Sequence, residues 1–363
     1  MDYIITMLSI STADMTKSKK ECREDFKKFE DKGLTGLANL GNTCFMNSAL
    51  ACLSHTYELN LFLEKKDYKT KLNNKPESLI LCEWDNLREL IWSENCTISP
   101  GGFVGAVQKV ANIKDRVIFT GFAQNDLTEF LQFVTECFHE SICREVDMTI
   151  QGSALNKTDK LAETCYKMMK NMYKKEYSEF LNIFWGIHVS QINSLESDYI
   201  NSTPEPFFNL IVPISDKKDL TSCIELYTSV EKLDGDNKVY NEKESKKEEA
   251  EKYIHFWSLP DVLVITIKRF GNNNRKNQEM IDFPLTDLDM SPYVIGYDKN
   301  SYKYDLYGIC NHSGGVSGGH YTSYVKNANN KWYVFNDTTC DEINLGALKT
   351  PKAYCFFYRK QKK

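Results

Sequence analysis

The 363-residue sequence has no excess of basic charge: 45 lysines and arginines stand against 50 acids, for a formal net charge of −5. Nucleic acid and other anionic polymers are therefore disfavoured as partners, since their capture needs a clustered cationic surface. No apolar run approaches the roughly 18 residues that a membrane span needs. The opening "MDYIITMLSISTADM" carries an acid at position 2 and no basic flank, which reads against a secretory signal. Internal repeats are missing too. The twelve cysteines follow no tight spacing pattern, and a chain of this size buries a core without staples. The expectation is an intracellular protein, cytoplasmic or nuclear, with reduced thiols.

Two grammars divide what is there. Residues 1–32 end in the charged "KSKKECREDFKKFEDKG" and read as an N-terminal extension. From Gly33 to about 180 the apolar spacing is helical, as in "FMNSALACLSHTYELNLFLEK", where Phe45, Ala49, Leu50, Leu53 and Tyr57 fall near one face. After about 183 come short aromatic and β-branched runs, "FWGIHVSQI", "PFFNLIVPI" and "DVLVITIKRF", which read as strands. Between them "NEKESKKEEAEK" reads as a solvated helix or loop. Helices first and strands later predict an α+β fold.

One cysteine stands apart. In "NLGNTC" a polar, glycine-containing turn leads to Cys44, and a helical pattern starts at once. A thiol at a helix N-terminus faces unpaired backbone N–H groups, which favour the thiolate. Its complement lies near the other end of the chain. In "HSGGVSGGHYTSYVKNANNKWYVFND", His320 follows a glycine-rich loop and opens a strand that returns after "NANN" to Asn336 and Asp337. A turn centred near Ala328 would set His320 directly opposite Asn336, with Cβ atoms about 5 Å apart. A bulge would substitute Asp337. Either residue can hold the imidazole by hydrogen bond and leave its other nitrogen to take a proton from a thiol. Gly314, Gly315, Gly318 and Gly319 let a backbone approach closely or a loop move.

These segments resemble, in order, the cysteine and histidine boxes of the ubiquitin-specific proteases, with "QNDLTEFL" and "LPDVLVITIKRF" in the expected places between them. The resemblance spans residues 33 to about 358. It implies a papain-like cysteine protease fold with a helical thumb (about 33–182), β fingers (about 183–258) and a β-rich palm (about 259–360). It further implies hydrolysis of the isopeptide or peptide bond after the C-terminal glycine of ubiquitin through an acyl-enzyme thioester. On that resemblance Cys44 is the nucleophile and His320 the base. Asn336 stands at the third position, Asp337 supports the histidine beside it, and Asn39 donates to the oxyanion. Asp126 and Glu129 bind the basic tail of ubiquitin, and Phe283, His312, Gly319 and Tyr321 line its channel. The partner is ubiquitin or a ubiquitinated protein, the working unit a monomer, and no cofactor is called for. A ubiquitin-like modifier as substrate, and a non-catalytic ubiquitin-binding scaffold, stay open as alternatives.

The pattern breaks at one place. Many members of that family carry a zinc site in the fingers built from two CxxC pairs. Here no cysteine follows "FWG", and Asn241 and Glu244 occupy the second pair's sites. His188 and Cys223 remain nearby but make no tetrahedral set. The expectation is no structural metal, with fingers held by strand pairing and aromatic packing.

Overall fold

Residues Val262–Ile267, "VLVITI", are buried at every position, the pattern of a strand covered on both faces. The computed structural model, which describes residues 6–9, 25–271, 275–315 and 318–362, places this strand inside an eight-stranded sheet. The order is Thr339–Ile343, Trp332–Asn336, Gly318–Lys326, Lys303–Gly315, Ala353–Lys360, Val262–Ile267, Asn209–Val212, with Leu288–Asp289 added beside Lys303–Gly315. Within this sheet, among the described residues, only the pairing of Val262–Ile267 with Asn209–Val212 is parallel. Side chains alternate between two cores. Val262, Val264, Cys310 and Phe357 face the helices, while Leu263, Ile265, Ile309 and Phe356 face a second cluster that includes Leu220 and Ile224. The architecture is α+β, as the order of helical and strand patterns predicts.

The helix Cys44–Ser54 is buried along its whole length, its polar Asn47 and Ser48 going under with hydrogen-bond partners of their own. The expected single apolar face ends at His55 and restarts as Tyr57–Glu64. The break is stabilised locally: Thr56 Oγ1 donates to the Cys52 carbonyl at 3.2 Å and Asn60 Nδ2 to the Ser54 carbonyl at 2.7 Å, satisfying the orphan acceptors of a helix end. Helices Ser78–Ser93, Gly101–Ile113 and Leu127–Ile142 pack in the same core, where Phe45 meets Phe130 edge to face.

The described part of the N-terminal extension is docked. Thr6–Ser9 pairs with Met148–Gln151, and Phe29 stacks on Tyr57 with ring centroids 4.7 Å apart. Arg359 lies against Tyr57 and Tyr307 and pairs with Glu58 at 2.9 Å, so the two chain ends meet on one aromatic surface. Residues 10–24, which hold the first half of the charged stretch, lie outside the described residues.

A separate antiparallel sheet occupies the segment expected to form the fingers, in the order Ile200–Phe207, Gly186–Ser194, Ala250–Ser258, Glu231–Leu233. One expectation is corrected here. The charged run is a hairpin, Val239–Asn241 with Lys246–Glu248, running straight into Ala250–Ser258. It is ordered by burial of one carboxylate, which periodicity cannot reveal. Glu248 is 1% exposed and accepts from Ser194 Oγ at 2.6 Å, Ser197 Oγ at 2.7 Å and Asn241 Nδ2 at 3.1 Å. The tip is therefore held by this hydrogen-bonded hub, and aromatic pairs such as Phe207–Phe256 and Trp257–Tyr297 lie at the other end of the sheet. Each turn is also closed on itself. Ser194 Oγ accepts from the N–H groups of Glu196 and Ser197, and Asn241 Oδ1 from those of Lys243 and Glu244. Oxygen donors already bonded to one another do not fit a zinc ion. Among the described residues no three metal-ligating side chains converge.

The hairpin that carries His320 is shifted from its expected register. Ser323 pairs with Phe335 and Lys326 with Trp332, so the turn centres on Asn329. The reason is a three-residue loop with Asn330 in the left-handed region at φ 65°. The buried Asn327 fixes it: its Oδ1 accepts from the N–H groups of Asn329 and Asp31, and its Nδ2 donates to the Lys32 carbonyl.

Candidate active site

Asn39 shapes the turn before Cys44. Its Oδ1 accepts from the N–H groups of Gly41 and Thr43, both at 3.1 Å, and Thr43 Oγ1 accepts from Leu40 N–H at 2.9 Å. The chain is thereby delivered into the helix with Cys44 at its first residue. One turn on, Ser48 Oγ donates to the Thr322 carbonyl at 3.0 Å, pinning this helix to the strand that carries His320.

Cys44 is 3% exposed. Burial pushes its thiol above the ordinary value; the Tyr321 backbone N–H at the sulfur opposes this, and the nearby Asp337 carboxylate adds to it. Helix-start N–H groups also favour the thiolate, but desolvation wins. The resting thiol keeps its proton unless a base takes it.

His320 Nε2 lies 2.6 Å from Asn336 Oδ1. Since Oδ1 can only accept, Nε2 carries the hydrogen, and Nδ1 is left with a free lone pair. The contact is diagonal. A register shift of two keeps both residues on the same face, so the pair survives the corrected turn. Asp337 does not join it. At φ 48° in the tight turn after Asn336, it accepts from Asn39 Nδ2 at 3.0 Å and Asn47 Nδ2 at 2.7 Å. Asp337 thus holds the nucleophile's turn and helix.

A cavity of about 220 Å³ lies between the two halves, lined by Gln124, Asn125 and Asp126 on one side and Phe270, His312, Gly315, Gly318 and Tyr321 on the other. His312 and Tyr321 are directly paired across strands, with rings 4.6 Å apart. Burial lowers His312 to about 4, helped by Lys276 and opposed by Asp126, so the imidazole is neutral. Beside it a Cβ on Gly319 would stand 2.5 Å from His312 Nε2 and 2.2 Å from the Ser313 carbonyl, so only glycine fits. The tip of the glycine loop, residues 316 and 317, lies outside the described residues.

Asp126 caps the helix Leu127–Ile142, accepting from the N–H groups of Thr128 and Glu129, and its other oxygen takes the Tyr354 hydroxyl at 2.6 Å. Glu129 is exposed in the first turn of that helix. Phe283 is not brought to the site. It is 1% exposed in the second core, 4.8 Å from the Phe356 ring. Gln124, Phe270 and Asn47 belong to the site or its support and carry no sequence signal of their own, being single residues whose partners are remote.

A family model for ubiquitin carboxyl-terminal hydrolases matches residues 35–358. Ubiquitin carboxyl-terminal hydrolase 2 of Bos taurus is 30% identical over 357 residues, covering 94% of this chain and 58% of that protein. The Gallus gallus enzyme of the same name is 32% identical over 342 residues, covering 90% and 93%. The chain spans about 58% of the length of the mammalian relatives it matches. Among solved structures, the SAGA DUB module Ubp8/Sgf11/Sus1/Sgf73 bound to monoubiquitin aligns with a TM-score of 0.71 at 26% identity, covering 91% of this chain and 70% of that one. The same module bound to ubiquitin aldehyde gives 0.70 at 25% identity, covering 92% and 70%. This chain belongs to the ubiquitin carboxyl-terminal hydrolase family.

Proposed function

We propose that the protein is a thiol-dependent deubiquitinase, cleaving the bond after the C-terminal glycine of ubiquitin. The observation that carries this reading is the His320 Nε2–Asn336 Oδ1 bond at 2.6 Å beside a thiol that receives the next residue's N–H. His320 Nδ1 takes the Cys44 proton, and the thiolate attacks the glycine carbonyl carbon. The oxyanion that forms accepts from Asn39 Nδ2 and from the backbone N–H of Cys44. The protonated imidazole then gives its proton to the leaving amine, and the C–N bond breaks to leave a thioester. Water attacks that thioester with His320 again as base, releasing the ubiquitin carboxylate and restoring the thiol.

The cavity beside Cys44 supports the same substrate. With the His312 and Tyr321 rings and Gly315 and Gly318 on one wall, a tail ending in two glycines is the thinnest peptide able to lie there. Asp126 and the exposed Glu129 add negative charge suited to an arginine-bearing tail. Residues 33–360 form the catalytic unit in this proposal, divided into thumb, fingers and palm near 182 and 258. It works as a monomer in a reducing compartment, in keeping with eleven free described cysteines. Among the described residues no helix is long and apolar enough to cross a membrane.

The test is to mix the protein and its Cys44→Ala variant with ubiquitin bearing a C-terminal electrophile and to weigh the intact products. One ubiquitin added to the parent and none to the variant is the expected result. No adduct on folded parent overturns the reading, and a panel of ubiquitin-like probes then separates another modifier from a silent scaffold.

A further inference from the structure

The strand that carries His320 is covered unevenly. Along one edge Gly318–Val325 is paired throughout, with Gly314 opposite Gly319 and Ser313 opposite His320. Along the other edge its pairing with Trp332–Asn336 stops at Ser323, so the backbone from 318 to 322 has no strand partner there. An open edge leaves N–H and C=O groups unsatisfied and lets the strand end shift. At Gly319 that vacancy is filled by a side chain. Gln124 Nε2 donates to the Gly319 carbonyl at 2.8 Å, and the Gly319 N–H donates to Gln124 Oε1 at 2.7 Å. A primary amide presents donor and acceptor side by side, as a peptide unit does, and here it makes the reciprocal pair of bonds that an antiparallel strand residue would make.

Gln124 is itself fixed from the nucleophile's side. Two residues earlier, the Phe122 carbonyl accepts from Asn42 Nδ2 at 2.9 Å, and Asn42 lies two residues before Cys44. The next residue, Asn125, donates from Nδ2 to the carbonyls of Ile118 and Ala123, and Asp126 caps its helix. A continuous series of contacts therefore joins the turn before Cys44 to the residue before His320. We propose that Gln124 is a positioning residue: its amide closes the open strand edge at Gly319 and so fixes the His320 imidazole relative to the Cys44 thiol. This rests on the thiol–imidazole reading above and goes beyond it by naming a residue that touches neither group.

The experiment uses Gln124→Met, which keeps length and loses both bonds, and Gln124→Glu, which keeps the acceptor and sets a carboxylate against the Gly319 carbonyl. Melting curves confirm that each variant is folded. Two readouts are taken: kcat and KM on ubiquitin with a C-terminal fluorogenic amide, and the rate of Cys44 alkylation by iodoacetamide against pH, followed by peptide mass. Misplacing a reacting group by about 1 Å costs on the order of 10²-fold, so kcat falls by roughly 10- to 10²-fold in both variants. KM changes less than kcat, although Gln124 also lines the cavity, and the Cys44 alkylation profile moves to higher pH as the imidazole loses its hold on the thiolate. A raised KM with unchanged kcat overturns the proposal by making Gln124 a substrate contact, and an unmoved alkylation profile overturns it outright. If the parent ignores ubiquitin altogether, the deubiquitinase reading fails while the alkylation profile still decides the role of Gln124.

Discussion

His320 and Asn336 meet diagonally across the hairpin, Nε2 to Oδ1 at 2.6 Å, while Asp337, one residue further, turns away to Asn39 and Asn47. The two neighbours therefore do different work and should fail differently when changed. Removing a general base costs about 10²- to 10⁴-fold in kcat, and His320→Ala is expected in that range with little change in KM. Asn336→Ala should lower kcat with a smaller loss, and Asn336→Asp should recover part of it. Asp337→Ala should lower the melting temperature as well as the rate, because it frees two amides that shape the Cys44 turn. Steady-state kinetics beside thermal melts on the four variants distinguish these outcomes.

Asn39 has its oxygen committed to the turn and its nitrogen aimed by Asp337. One oxyanion donor is worth about 2.7–4 kcal/mol in the transition state. Asn39→Ala should therefore reduce kcat by roughly 10²- to 10³-fold and leave ubiquitin binding by the Cys44→Ala background intact. A loss of binding of the same size would assign Asn39 to ground-state recognition.

Asp126 and Glu129 sit three residues apart on one helix start, yet only Asp126 is structural. Losing an N-cap costs about 0.5–2 kcal/mol, so Asp126→Ala should lower stability as well as raise KM. Glu129→Ala, at an exposed position, should raise KM alone. Denaturant melts and single-turnover rates separate the two, and equal loss of kcat in both variants would count against tail binding.

His55 and His312 are buried, and burial lowers each to about 4. In the unfolded chain both bind protons near the ordinary value of 6.5. Between those values the unfolded state holds more protons than the folded one, so stability must fall as pH drops from 6.5 to 4 and level off below. The slope approaches about 1.4 kcal/mol per pH unit for each histidine. Urea unfolding at pH 7, 6 and 5 reads it directly, and a flat profile across that range would contradict the buried neutral rings.

Glu248 is the reverse case. Hydrogen bonds from Ser194, Ser197 and Asn241 hold its carboxyl down at about 2. A depressed carboxyl stabilises fully above the ordinary value of 4.5 and loses that contribution as pH falls through about 2. Glu248→Gln should loosen segments 194–197 and 241–248 in hydrogen exchange at pH 7, with the core unchanged. Chelator should leave the melting temperature of the parent where it was. A fall on chelation would restore a metal to the fingertip.

The sequence by itself determined the α+β class, the helix that Cys44 opens, the strand that carries His320, and the residues that face each other in kind. Those features are local. They depend on apolar period, on glycine and asparagine at turns, and on the side-chain chemistry a thiol and an imidazole need. Tertiary structure decided the rest. The hairpin register moved by two because a buried Asn327 organised a longer turn, and the Asn336 contact survived only because side chains alternate with a period of two. Asp337 left the histidine because two remote amides captured it. Phe283 went to the second core because a buried sheet offers two equivalent faces, and no periodicity says which core a phenylalanine enters. A charged run became a hairpin around one buried carboxylate, and Gln124 found Gly319 across 195 positions of sequence. Such contacts are set by which surfaces the fold brings together, and single polar residues announce none of them in advance.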